Sequence, residues 1–225
     1  MFISFLYNYN YMKKIFFIIL ILCNYYYQEF DVVDSNELNR TDIDEKKVNT
    51  KKEYVNKYEI GYLKVNGTKI NYKVLKYKDN KYYLKHNYEN KYSNSGAIFI
   101  DYRNNINKLD KNTIIYGHSM LNGTMFGSLK NVLKKEWLLN KNNHVIKFNI
   151  KDKKMYWKVF SVYTTQNETY YLNTNTDKLF IDVIKARSIY DFNTQVNEND
   201  YILTLSTCYK NNKRLVVHAK KIRDY

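Results

Sequence analysis

Thr204-Leu-Ser-Thr-Cys208 is a run of β-forming residues that ends on a thiol. A polar stretch, Tyr209-Lys-Asn-Asn-Lys213, follows it, and Arg214 opens a second apolar run, Leu-Val-Val-His-Ala219. Two strands joined by such a turn lie side by side, so Cys208 and Arg214 face each other across the loop mouth. A guanidinium near a thiol stabilises the thiolate, which is the nucleophilic form. A third group comes from Thr113-Ile-Ile-Tyr-Gly-His118-Ser-Met120, where an apolar strand runs through Gly117 into a histidine. Thiol, imidazole and guanidinium together supply acyl transfer with a nucleophile, a proton carrier and a stabiliser of the oxyanion or substrate carbonyl. Spacing alone does not bring His118 to Cys208, which lies 90 residues further along the chain.

The elements that must position these groups are mostly strands. Ile60–Val65 and Lys69–Leu75 flank Asn66-Gly67, a strong hairpin signal. Further strand-like runs are Ala97–Ile100, Thr113–Tyr116, His144–Ile150, Met155–Tyr163, Tyr201–Thr207 and Leu215–Ala219, several of them alternating apolar with polar residues. Two stretches read as helix: Met125–Leu139, with a break, and Asp177–Tyr190, which puts Leu179, Val183 and Ala186 on one face. The sum is a mostly β domain, compatible with a barrel, with a helix inserted before the last two strands.

The beginning of the chain sets the compartment. Lys13 and Lys14 precede the apolar run Ile15–Cys23 and the cluster Tyr25–Tyr27, and no further cation occurs before Arg40. The positive-inside rule then keeps the N-terminus in the cytoplasm and exports the chain beyond the apolar run. No small-x-small cleavage site comes after that run, so residues 1–28 read as an uncleaved signal anchor, with Met12 an alternative start. The charged segment 29–57 reads as a helical stalk, and 58–225 as the catalytic domain. The exported part keeps a single cysteine, Cys208, and a lone exported thiol asks for a reason.

Composition excludes more than it selects. The 44% hydrophobic content rules out a disordered chain, and two cysteines cannot build a disulfide scaffold or a four-cysteine zinc site. The formal charge of +15 suits an anionic neighbour, but the lysines are spread along the whole chain. With 25 Tyr and no Pro, that spread fits codon drift better than a binding patch. Export separates the domain from nucleic acid.

Taken in order, Gly96-Ala-Ile-Phe-Ile-Asp-Tyr-Arg-Asn104, Ile115-Tyr-Gly-His118-Ser-Met120, Gly123-Thr-Met-Phe-Gly-Ser-Leu129, Thr204–Cys208 and Arg214-Leu-Val-Val217 resemble the class B sortases. These are cysteine transpeptidases that attach proteins to the Gram-positive cell wall. The resemblance covers roughly residues 57–223 and the anchor. It implies an eight-stranded sortase β-barrel with an N-terminal helical extension and a helix before the cysteine-bearing strand. It implies Cys208 as nucleophile, His118 as proton carrier and Arg214 as the third catalytic group. Tyr116 and Ser206, with Thr207, take substrate-binding positions. It further implies a membrane-anchored enzyme facing the cell wall. Its partners would be a sorting-motif peptide of secreted proteins and a peptidoglycan precursor amine, with no metal or cofactor. Some relatives carry an acid just after the cysteine, where this chain has Tyr209 and Lys210. The pentapeptide is left open between NPQTN-like, LPxTG-like and other variants.

Other readings are weaker. His86, His144 and His218 lack a matching motif and read as surface or structural histidines, although His218 comes four residues after Arg214 on the same strand face. Asp101 and Arg103 read as a structural pair at a strand end rather than a site pair. A papain-like protease would place its Cys before its His, the reverse of the order here. A non-catalytic basic module binding anionic wall polymers remains the alternative, and it leaves the exported thiol unexplained.

Overall fold

Eight strands emerge where the alternating runs predict them: β1 (Glu59–Val65), β2 (Asn71–Leu75), β3 (Phe99–Ile100), β4 (Asn112–Tyr116), β5 (Val145–Ile150), β6 (Met155–Thr165), β7 (Ile202–Cys208) and β8 (Arg214–Asp224). They belong to a computed structural model that describes residues 54–166 and 168–224. The expected anchor lies outside the described residues, as does the expected stalk except for its last four positions. Residues 54–58 are extended and turn backbone, not helix. Among the described residues, no helix is long and apolar enough to cross a membrane.

The strands close into a barrel in the order β1-β2-β3-β4-β7-β8-β6-β5, with β5 pairing back on β1. Closure gives every strand a neighbour on each side, although β2 meets β3 only at Leu75 and Phe99. The β1–β2 hairpin turns at Asn66-Gly67, and Gly67 adopts φ +71°, in the left-handed region that glycine enters freely. The barrel interior holds Leu63, Ile100, Ile115, Phe148, Trp157, Leu205 and Val217, all essentially inaccessible to solvent. Each such side chain contributes roughly 1.5–3 kcal/mol through burial.

The predicted 125–139 helix is indeed broken, into a 3₁₀ segment Gly127–Leu133 and a short helix α1 (Lys135–Leu139). The second helix, α2 (Lys178–Ala186), starts where expected, capped by Asp177, whose carboxylate accepts the Phe180 N–H at 2.7 Å. Its packed face is not the one expected. Leu179 is exposed and Val183 only partly buried, whereas Phe180, Ile181 and Ile184 pack with Phe160 and Ile202. Both sets satisfy helical spacing, and the set with the bulkier side chains faces inward because it buries more apolar area.

Period-two alternation fixes which strand residues leave the barrel core. In β7, Leu203 and Leu205 point inward, so Ile202, Thr204, Ser206 and Cys208 line the outer face. In β8, Leu215, Val217 and Ala219 point inward and Arg214, Val216 and His218 outward. That outer face is roofed by α2 and by the 3₁₀ turn Tyr170–Leu172, both from the long β6–β7 connection.

Candidate active site

Two pairings of β7 assemble the site. On one side β8 runs antiparallel, with Cys208 directly opposite Arg214. On the other β4 runs parallel, with Tyr116 opposite Ser206. Because parallel strands advance together, the two residues after Tyr116 keep pace with the two after Ser206. His118 therefore emerges at the same barrel end as Cys208, and the 90-residue gap closes through a sheet pairing.

Arg214 Nη1 donates to Cys208 Sγ at 2.9 Å, and Cys208 is free and exposed. Tyr209 N–H bonds to the Lys213 carbonyl at 2.8 Å, and Asn211 and Asn212 both take positive φ, so the five-residue turn is tight enough to hold the two strand ends together. His118 Nε2 lies 2.8 Å from the Leu84 carbonyl oxygen. A carbonyl only accepts, so Nε2 carries the hydrogen and Nδ1 is left to exchange a proton.

Cys208, His118 and Arg214 line one cavity of about 350 Å³. The cavity is also lined by Phe99 of β3, Tyr116 and Gly117 at the end of β4 and Ser206 of β7, by Asn80 and Leu84 of the β2–β3 connection, and by Glu168, Thr169, Tyr171 and Leu172 of the β6–β7 connection. Tyr116 donates its hydroxyl to Asp101 at 2.7 Å, and Ser206 shares a 3.0 Å hydrogen bond with the Tyr171 hydroxyl. Burial raises the pKa of both phenols, further helped at Tyr116 by the Asp101 carboxylate, so both stay neutral. Thr207 is placed differently from its expected neighbours. It is buried, does not line the cavity, and donates to the Gly117 carbonyl at 2.7 Å. Its parity turns it away from the groove, and it tethers the backbone just before His118.

Sequence reasoning missed Asn80, Leu84, Glu168, Thr169, Tyr171 and Leu172. All lie in connections between strands, where no periodicity marks them. Glu168 places a carboxylate in the cavity, bonded to Thr165 and paired with Arg187. Burial works to raise its pKa, but those two bonds outweigh it and hold the carboxyl below its ordinary value. Tyr209, the residue after the cysteine, packs instead against the barrel cluster.

None of the other histidines lines this cavity. His86 stacks on Tyr82, and His144 bonds the Leu138 carbonyl beside Trp137. His218 does share the outer face with Arg214, but it is fully buried. Its Nδ1 lies 2.8 Å from Thr204 Oγ1, and Thr204 donates its own hydrogen to Asn112 Oδ1 at 2.6 Å. Nδ1 must therefore be the donor, and Nε2 accepts from the Tyr163 hydroxyl at 3.0 Å. Burial, assisted by the Arg187 cation, lowers its pKa to about 3.

A family model described as the sortase domain matches residues 63–222. A sortase B of Listeria monocytogenes is 39% identical over 135 residues, which is 58% of this chain and 54% of that protein. One of Staphylococcus aureus is 36% identical over 153 residues, 64% of this chain and 62% of that protein. The matched part thus spans just over half to three fifths of these two relatives. A solved complex of Staphylococcus aureus sortase B with a substrate superposes with a TM-score of 0.70 at 36% identity, covering 75% of this chain and 82% of that one.

Proposed function

The chain belongs to the sortase family, within its class B group, and from that premise we propose that it is a membrane-anchored, cell-surface cysteine transpeptidase. It cleaves a C-terminal sorting pentapeptide after Thr and joins the target protein to a peptidoglycan amine. The observation that carries this reading is the joint placement of Cys208, His118 and Arg214 in one open cavity.

The reaction runs in two acyl transfers. His118 Nδ1 takes the Cys208 proton, the resulting thiolate attacks the Thr carbonyl carbon, and the electron pair moves to the carbonyl oxygen. Arg214, already aimed at the sulfur, stabilises the developing negative charge or holds the peptide backbone. Collapse expels the amine of the next residue, which takes a proton from His118 Nδ1, leaving a thioester on Cys208. The incoming wall amine gives a proton back to His118 as it attacks the thioester, and the thiolate leaves. Water in place of the amine gives slow hydrolysis. Tyr116 and Ser206, both at the cavity surface, contact the bound peptide. Thr207 acts one step back, by holding Gly117. A solved Staphylococcus aureus sortase B–substrate complex with the same fold supports the reading that this chain, too, binds a substrate.

The test incubates the full chain in detergent micelles with a panel of sorting peptides and hydroxylamine. Mass spectrometry reads cleavage after Thr, the hydroxamate product and an acyl adduct on Cys208. Equal turnover by Cys208→Ala, or no cleavage of any peptide, would overturn the reading.

A further inference from the structure

We infer that Asp101 is a positioning residue that fixes the relative placement of three residues lining the Cys208 cleft, by tying them to one buried carboxylate. The inference deepens the sorting-peptide reading and rests on it. Asp101 comes directly after β3, has no exposed surface, and does not itself line the cavity that holds Cys208. Its Oδ2 accepts from the Tyr116 hydroxyl at 2.7 Å, from Asn80 Nδ2 at 3.0 Å and from Arg103 Nη2 at 2.9 Å. Its Oδ1 accepts from the Arg103 backbone N–H at 3.0 Å and from Arg103 Nε at 2.9 Å. Two of these partners, Tyr116 and Asn80, line the cleft directly.

The link to the β6–β7 connection runs through Arg103. The same Nη2 that bonds Asp101 donates to the Leu172 carbonyl at 3.0 Å, and Leu172 also lines the cleft. On either side of that contact, Asn112 Nδ2 donates to the carbonyls of Tyr171 at 3.1 Å and Asn173 at 2.8 Å. Three consecutive carbonyls of the β6–β7 connection are therefore held by side chains from outside it. Tyr116 from β4, Asn80 from the β2–β3 connection and Leu172 from the β6–β7 connection share one anion as their common reference. A buried carboxylate with five donors keeps that arrangement rigid, because removing its charge leaves those donors facing an amide that can itself donate. Among the described residues, no hydrogen bond joins the Cys208–Arg214 pair to the Asp101 carboxylate or its donors. Losing the anion should loosen the seat of the peptide and leave the chemistry of the thiol in place.

The test uses the full chain in detergent and a sorting peptide that the wild type turns over. KM and kcat are measured for Asp101→Asn and Arg103→Lys, together with the rate of Cys208 alkylation by iodoacetamide and the melting temperature. The expected result is a KM raised tenfold or more in both variants, with kcat and the alkylation rate within threefold of wild type. An unchanged KM in a folded variant overturns the inference, as does a parallel fall of kcat and alkylation. If Asp101→Asn does not fold, Arg103→Lys decides, since its side chain is 41% exposed and keeps its charge but not its fork. A wild type that turns over no sorting peptide overturns the functional reading and this inference together. A competent wild type with variants of equal KM overturns this inference alone.

Discussion

Tyr116 and Ser206 sit opposite each other across the parallel β4–β7 pair. That single register relationship delivers an imidazole from one stretch of chain to a thiol from another. On the far side of β7, the β8 register delivers the guanidinium. The proposed catalytic set is thus one strand end viewed from its two neighbours.

Arg214 donates to the Cys208 sulfur at 2.9 Å from the strand position directly opposite it. Arg214→Ala is expected to lower kcat/KM for a sorting peptide by about 10²- to 10³-fold, the usual loss for a transition-state donor. Arg214→Lys should recover only part, because a point charge cannot reproduce the fork. Steady-state assay of both variants checks this, and a loss under threefold for the alanine variant would remove Arg214 from the mechanism.

Gly96 has φ +59°, and a Cβ there would lie 2.4 Å from the Tyr83 carbonyl oxygen and 3.1 Å from His118 Cδ2. Gly96→Ala should cost about 1–3 kcal/mol of stability from backbone strain. It should also push the imbalance onto His118, so that turnover falls further than the unfolded fraction explains. Urea midpoints set beside kcat separate the two effects.

Stability should fall on acidification because of His218. Its pKa is about 3 when folded against an ordinary 6.5. Between those values the unfolded chain binds a proton that the folded chain refuses. The His218 contribution is complete above about pH 6.5 and is lost progressively as the pH drops toward 3. Asp101 adds a loss below pH 3.8: burial would raise its pKa, but hydrogen bonds from Arg103 and Tyr116 outweigh it and hold the carboxyl at about 2. The unfolding free energy from urea titrations at pH 7, 5 and 4 should decline in that order, by about a few kcal/mol in total. A flat profile would contradict the neutral, buried assignment.

Asp177 caps α2 far from the thiol chemistry. Asp177→Ala should lower stability by about 1 kcal/mol while kcat stays within twofold of wild type. Thermal melts and the peptide assay read both. A large fall in kcat would mean that α2 does more than roof the outer face.

Cys208 and Arg214 were legible together because a hairpin is local: its turn and its strands lie in one short stretch, and period two decides their faces. The strand pattern predicted eight elements for the same reason. The packed face of α2 was not legible, since Leu179/Val183/Ala186 and Phe180/Ile181/Ile184 obey the same spacing and only the neighbouring Phe160 and Ile202 choose between them. Thr207 shows the opposite failure. Adjacency to the nucleophile suggested a substrate contact, while the alternation of the strand turned its hydroxyl toward Gly117.

By itself, the order of residues determined the strands, the thiol with its facing guanidinium, and a histidine at a strand end. The tertiary structure alone decided that the histidine shares a cavity with the thiol, which carbonyl holds its ring, and which loop residues line the cleft. The physical reason is that parallel pairing and loop packing are contacts between distant segments. Their register depends on how the closed barrel fits together as a whole, and no local pattern along the chain records it.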